Sequence, residues 1–158
     1  MDIRRLTAED LPRLRQFWID NWGGEIMITR GTIYRPEQLE GFVIEDNDEW
    51  IGLLTFSISE TECEVTSLDS LREGQGIGTS LLDAIVAEAR TRSCKRLFLI
   101  TTNDNLNALG FYQKRGFEIV QIYRNAIYES RKLKPSIPLI GMNNIPLRDE
   151  IELEMALK

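Results

Sequence analysis

The sequence predicts an α+β fold, a mixed α/β sheet flanked by helices, and three observations predict it. Runs of strand period cluster between residues 41 and 68. A long helix with an apolar stripe follows a glycine turn at residue 76. The chain beyond it alternates an apolar run, a short helix and further strands. The 158 residues suit one compact domain over 1–158, and a hydrophobic content of 42% is enough to fill its core. No internal repeat, low-complexity tract or linker divides them.

Residues 3–6 read as a short first strand. Helix one follows, with Thr7 or Asp10 as its cap and Pro12 near its start, where a missing N–H is tolerated. Leu11, Leu14, Trp18 and Trp22 supply its apolar stripe. Residues 23–39 read as a strand or an ordered loop, because EIMITRGTIY alternates only in part. Residues 41–45 and 50–59 are strands, and the EDNDE between them has hairpin-turn composition. Residues 62–68 form the next strand; a regular one puts Glu62, Glu64 and Leu68 on one face and Asp69 on the other.

Residues 76–92 are the clearest helix, with Leu81, Leu82, Ile85, Val86 and Ala89 as its buried stripe. The apolar run 96–101 reads as a central strand. Residues 105–115 form a short helix, with Gly116 in the usual place just past its end. Residues 117–128 read as a long strand. Residues 130–150, with Pro135, Pro138, Pro146 and Gly141, read as an ordered loop before the last strand. That strand, 150–157, alternates acidic and apolar residues and should keep one wet face.

Composition narrows the function classes. A net charge of -6 with scattered Lys and Arg argues against a nucleic-acid partner and weakly favours cationic substrates such as amines. No run approaches the ~18 apolar residues of a membrane span. The start, MDIRRLTAED, has no apolar signal stretch, so no membrane partner and a cytoplasmic location are expected. Cys63 and Cys94 form no CxxC pair and read as unpaired thiols in a reducing compartment. The absence of histidine removes Ser-His-Asp and Cys-His triads and most zinc sites, so no metal is expected.

The chemistry concentrates in residues 68–79, LDSLREGQGIGT, where a strand ends, glycines turn the chain and the long helix begins. Glycines let a ligand approach the backbone. The first N–H groups of a helix lack internal partners, and the macrodipole adds about half a positive charge there. Phosphate suits such a site, although a tight turn without a ligand has the same composition. A P-loop needs Gly-Lys-Ser/Thr, which is absent. The dinucleotide fingerprint started at Gly74 would need glycine where Thr79 stands.

This turn resembles the pyrophosphate loop of the GNAT N-acetyltransferase superfamily, Gln/Arg-x-x-Gly-x-Gly/Ala, with Gly76 and Gly78 at its glycines and Glu73 where Gln or Arg is usual. One strand further on, residues 105–117 resemble the family segment Asn-x-x-Ala-x-x-x-Tyr-x-x-x-Gly-Phe, through Asn105, Ala108, Tyr112, Gly116 and Phe117. Thr7, Asp10 and Leu11 resemble its first strand–helix junction, so the resemblance covers residues 1–128.

The resemblance implies the GNAT acyl-CoA N-acyltransferase fold. It also implies transfer of acetyl from acetyl-CoA, as cosubstrate, to an amine of a small molecule or protein by direct attack on the thioester. It gives the coenzyme phosphates to the backbone N–H groups of Gly74, Gln75, Gly76, Ile77, Gly78 and Thr79. Leu68 would supply an N–H to the thioester carbonyl, at a bulge where the strand splays. Asn105 would contact the coenzyme, or equally serve as a helix cap. Tyr112 is the candidate general acid for the departing thiolate, since a phenol stays protonated at neutral pH; its other reading is a core aromatic. Without histidine, a base would be Glu64 or Glu62, direct or through water, unless these are solvated acids. The acceptor pocket would use Trp18, Trp22, Arg30, Tyr34 and Arg35, although the helical spacing of the two tryptophans reads first as core. Homodimers are common in the family. A non-catalytic CoA-binding regulatory module of the same fold is the alternative; the intact Tyr112 motif favours the enzyme, and Glu73 slightly favours the module.

Overall fold

The computed structural model describes residues 2–158. In chain order the elements are β1 (Ile3–Arg5), α1 (Leu11–Trp22), β2 (Met27–Thr29), β3 (Thr32–Tyr34), β4 (Glu40–Asp46), β5 (Glu49–Ser59) and β6 (Glu62–Ser70). Then follow α2 (Ile77–Thr91), β7 (Arg96–Thr102), α3 (Leu106–Lys114), β8 (Glu118–Tyr123), α4 (Ala126–Leu133) and β9 (Glu150–Ala156). Seven strands are ordered β1-β4-β5-β6-β7-β9-β8, and β2 pairs with β3 separately. The pairs β1-β4, β4-β5, β5-β6 and β8-β9 are antiparallel. β6 and β7 are neighbours joined through α2, the crossover that parallel strands require, so the sheet is mixed as expected. The chain divides into two compact units.

The first unit holds the residues up to Arg13, then Glu37–Leu97 and Ala156–Lys158. Both candidate caps of helix one are used: the Asp10 carboxylate accepts the Thr7 N–H at 2.7 Å, and the Asp10 N–H donates to the Thr7 carbonyl at 3.0 Å. Arg4 grips the same carboxylate with two bonds of 2.9 Å. This guanidinium, then the Thr7 N–H, outweighs desolvation and holds the Asp10 carboxyl at about 2. A carboxyl depressed by folding contributes stability above its ordinary range near 4, and that contribution is lost as pH falls through about 2. Asp10→Asn is therefore expected to lower unfolding free energy by roughly 1 kcal/mol at pH 7, a small figure because Arg4 is solvated, and by much less at pH 2. Denaturant unfolding at both pH values checks this.

Asn47 and Asp48, with φ of 51° and 66°, form the tight turn between β4 and β5. Leu53, Leu54 and Phe56 of β5 are fully buried. Helix α2 covers one face of this sheet through Ile77, Leu81, Leu82, Ile85 and Ala89, most of the stripe its sequence shows. Gly52 permits the approach: a Cβ there would collide with the Ile77 side chain and lie 3.2 Å from Leu81 Cδ1. Cys63 and Cys94 are free and buried, and burial pushes the Cys63 thiol up to about 12.

The second unit comprises Leu14–Pro36 and Phe98–Met155. Residues 27–34 resolve as a hairpin, turned by Arg30 and Gly31 at φ of 49° and 75°. Of the α1 stripe, Leu14 and Trp18 are buried, whereas Trp22 is 42% exposed and so is not core. The long strand expected over 117–128 ends at Tyr123. Asn125, left-handed at φ 63°, turns the chain into α4 and donates its N–H to Asp149 Oδ1 at 2.8 Å. The loop expected over 130–150 accordingly begins only after Leu133. The wet face expected of the last strand is also corrected: Glu150 and Glu152 are 2% and 5% exposed. Glu150 accepts the Arg30 N–H at 3.1 Å, and Glu152 accepts the Tyr123 hydroxyl at 2.7 Å with the Arg30 guanidinium 3.5 Å away. Alternation reports which residues share a face, not what covers that face. No helix among the described residues is long and apolar enough to cross a membrane.

Candidate active site

The loop between β6 and α2 is built to expose backbone. Leu71 donates its N–H to the Ile51 carbonyl at 2.9 Å, and Arg72 reaches Asp46 at 2.5 Å and Glu49 at 3.9 Å, so the base of the loop is tied to the β4–β5 hairpin. Gly74 and Gly76 then take left-handed φ of 73° and 70°, where a Cβ is disfavoured although nothing lies within 4 Å of its place. The first bond of α2 runs from the Ser80 N–H to the Gly76 carbonyl, so the helix does not use the N–H groups of Ile77 and Gly78. The cap residue, Gly76, has no side chain of its own to offer this end, and no acidic residue lies in the first turn. Gln75 and Gly76 are exposed, Ile77 and Gly78 buried, and Thr79 half-buried. Glu73 is exposed on the loop. The result is an open, positively polarised patch of main chain, a suitable counterpart for the oxygens of a pyrophosphate.

Strand β6 departs from regularity just before this loop. Phe56 faces Val65 but Thr55 faces Ser67, which leaves Thr66 as an extra residue. The Thr55 hydroxyl meets both Thr66 Oγ1 at 2.7 Å and Ser67 Oγ at 2.5 Å. Every residue beyond the bulge therefore swaps faces. Glu62, Glu64, Ser67 and Asp69 lie opposite Ser59, Ser57, Thr55 and Leu53, on one face; Leu68 lies opposite Leu54, on the other. This corrects the regular-strand expectation that grouped Glu62 and Glu64 with Leu68 and turned Asp69 away. The face of Leu68 is the one Gly52 presents to α2. Glu64 is 3% exposed and Asp69 half-buried, so neither is a solvated surface acid. Glu62 is exposed and accepts Arg96 Nε at 2.7 Å.

In the second unit, Asn105 caps α3 by accepting the Ala108 N–H at 3.1 Å. Tyr112 follows two turns later, 7% exposed, with the rings of Phe111 and Phe117 edge-on at 5.2 and 5.5 Å. Gly116 at φ 98° closes the helix in the position the sequence indicates. Of the acceptor candidates, Trp18 is fully buried, Tyr34 half-buried and Arg35 exposed. Arg30 is engaged with Glu152 and stacks 5.0 Å from the Phe98 ring centre. Sequence reasoning missed Asp104, which is 2% exposed beside the α3 cap, and the buried Glu150 and Glu152. An acid directly before a helix cap is the one available signal for Asp104; a strand of alternating acids reads as surface. Among the described residues no group of three metal-ligating side chains occurs.

Comparison with known proteins gives this geometry a family. The model of the acetyltransferase (GNAT) family matches residues 4–117. The Bacillus subtilis protein YxbD, itself uncharacterized, is 43% identical over 143 residues, 90% of each chain. An amino-acid acetyltransferase of Mycobacterium tuberculosis is 21% identical over 126 residues, 75% of this chain and 69% of that protein. The crystal structure of a GNAT family acetyltransferase from Elizabethkingia anophelis with acetyl-CoA bound is 25% identical at a TM-score of 0.73, covering 99% of this chain and 97% of that one. A strand, a glycine turn opening a helix, and the family model matched across both describe one conclusion: the chain belongs to the GNAT family of acetyltransferases.

Proposed function

We propose that this chain works as a single GNAT domain that moves the acetyl group of acetyl-CoA to an amine of a small molecule or protein. The observation that carries the reading is the bare, left-handed Gly74 and Gly76 pair at the uncapped start of α2. Backbone donors without competing side chains fit a pyrophosphate, and acetyl-CoA is bound in the Elizabethkingia relative. Gly74 to Thr79 hold the phosphates. Leu68, just past the bulge, donates its N–H to the thioester carbonyl oxygen as negative charge grows there. Tyr112 gives its phenolic proton to the departing sulfur, so the C–N bond forms as the C–S bond breaks. Glu64 takes the proton the amine loses, directly or through a water. Glu62 is the second candidate, and its bond to Arg96 holds it at the surface. The Mycobacterium relative's name makes amino acids a natural part of the acceptor panel.

The test is release of free CoA thiol from acetyl-CoA with polyamines, amino acids, aminoglycosides and N-terminal peptides. Release that depends on one acceptor class is expected. Tight coenzyme binding with no release for any amine would instead support the non-catalytic module.

A further inference from the structure

We propose that Asp104 is a positioning residue, whose carboxylate latches the segment 139–147 to the start of α3 and so holds Tyr112 where it acts. The proposal rests on Tyr112 as the general acid.

The segment after α4 is a built strap. Its Leu147 N–H donates to the Leu139 carbonyl at 3.0 Å, and its Gly141 N–H to the Ile145 carbonyl at 2.8 Å. Asn143 and Asn144, at φ of 60° and 57°, turn its tip. Arg131 of α4 ties both arms, donating to the carbonyls of Pro138 at 2.7 Å and Leu147 at 2.6 Å. The nine residues of 139–147, closed in this way, move together.

The tip rests on the turn between β7 and α3. Asp104 Oδ2 accepts the Met142 N–H at 2.8 Å, and Oδ1 accepts the Thr102 hydroxyl at 2.5 Å. The Asp104 carbonyl accepts Asn143 Nδ2 at 3.1 Å and the Leu106 N–H at 3.0 Å. Asn103 grips the far arm, its Oδ1 accepting the N–H groups of Arg148 at 3.0 Å and Asp149 at 2.9 Å, its Nδ2 donating to the Pro146 carbonyl at 2.9 Å. One residue thus joins the end of β7, the first turn of α3 and the strap. Gly141 shows how tight the seat is: a Cβ there would collide with Asp104 Oδ2 and lie 2.7 Å from its Cγ.

Helix α3 is only nine residues long, and Tyr112 stands seven residues past the cap. A short hydrogen-bonded helix shifts as a rigid piece, so a displaced first turn is carried to the phenol. Misplacement of a catalytic group by about 1 Å can cost about 100-fold in rate. The strap therefore sets reactivity without touching substrate.

Gly141→Ala forces a methyl group against the carboxylate without altering any charge. It should lower kcat about tenfold while the KM for acetyl-CoA stays within about twofold. In an Asp104→Ala background both colliding atoms are gone and only the Cβ of residue 104 remains, 3.1 Å away. Gly141→Ala should then change kcat less than about twofold further, a coupling that a double-mutant cycle reads. Asp104→Asn, which keeps the shape and one acceptor, should retain more activity than Asp104→Ala. If Gly141→Ala lowers thermal stability but leaves kcat unchanged, or if the two substitutions multiply independently, the strap is structural only and the proposal fails. If Gly141→Ala does not fold, equal kcat for the Ala and Asn variants of Asp104 overturns it. A fully active Tyr112→Phe removes the underlying reading; a slow Tyr112→Phe beside a normal Gly141→Ala removes this inference alone.

Discussion

Tyr112→Phe is expected to slow turnover by about 100-fold or more while the affinity for acetyl-CoA stays within about twofold. The substitution deletes one oxygen and leaves the ring. That ring is 7% exposed and edge-on to Phe111 and Phe117, so its packing survives and the helix that carries it keeps its place. The proposed phosphate cradle, residues 74–79, contains no atom of Tyr112. Binding and turnover should therefore separate, the pattern of a group that acts only as the thiolate leaves. Steady-state kcat against acceptor, set beside the coenzyme dissociation constant by calorimetry, reads both. A thiol substitute of lower pKa, which leaves without protonation, should narrow the gap between the two proteins. Equal kcat in both would take Tyr112 out of the chemistry.

The elements with strong local signals were legible in the sequence. The α2 stripe, the Asn47-Asp48 hairpin turn, the Asn105 cap and the glycine after α3 are each dictated by residues within a turn or two of one another. The mixed sheet followed from their order. Elements set by distant partners were not. The helix at Ala126–Leu133 begins where the left-handed Asn125 meets Asp149, a residue 24 positions away in the chain, and strand propensity alone ran through that point. The burial of Glu150 and Glu152 depends on Arg30 and Tyr123, which no alternation pattern reveals.

The candidate site divides the same way. Its backbone half, from Leu68 to Thr79, is marked in the sequence by the glycines that turn the strand into α2; Gly74 and Gly76 take left-handed φ, whereas Gly78 lies within the helix. Its side-chain half depends on which face each acid takes, and one extra residue at Thr66 reversed that. A bulge of this kind has no composition of its own: Val65, Thr66 and Ser67 are ordinary strand residues. The consequence is chemical. Glu64 and Asp69 now share a face, with Ser67 between them, so Asp69 lies on the side of the sheet that carries the proposed base.

Gly76→Asp should raise the dissociation constant for acetyl-CoA about 100-fold with little loss of stability. Aspartate is among the residues that best tolerate the left-handed backbone held at φ 70°, so strain is small. A side-chain cap needs extended backbone at the cap residue, so from the left-handed position the new carboxylate does not close on the helix as a cap. It adds bulk and negative charge beside the donors assigned to the pyrophosphate. Losing two charge-assisted hydrogen bonds to the phosphates, at about 1.5 kcal/mol each, amounts to about 3 kcal/mol, or roughly 100-fold. Like-charge repulsion adds to this and is screened by salt. Gly76→Asn supplies the control, because it adds the same bulk without the charge. It should bind more tightly than the Asp variant, and the difference should shrink between 50 mM and 500 mM salt. At saturating acetyl-CoA both variants should approach the parent kcat, since Tyr112 and Leu68 are untouched. A folded Gly76→Asp protein that binds coenzyme as well as the parent would place the phosphates away from this turn, and the roles assigned to residues 74–79 would go with them.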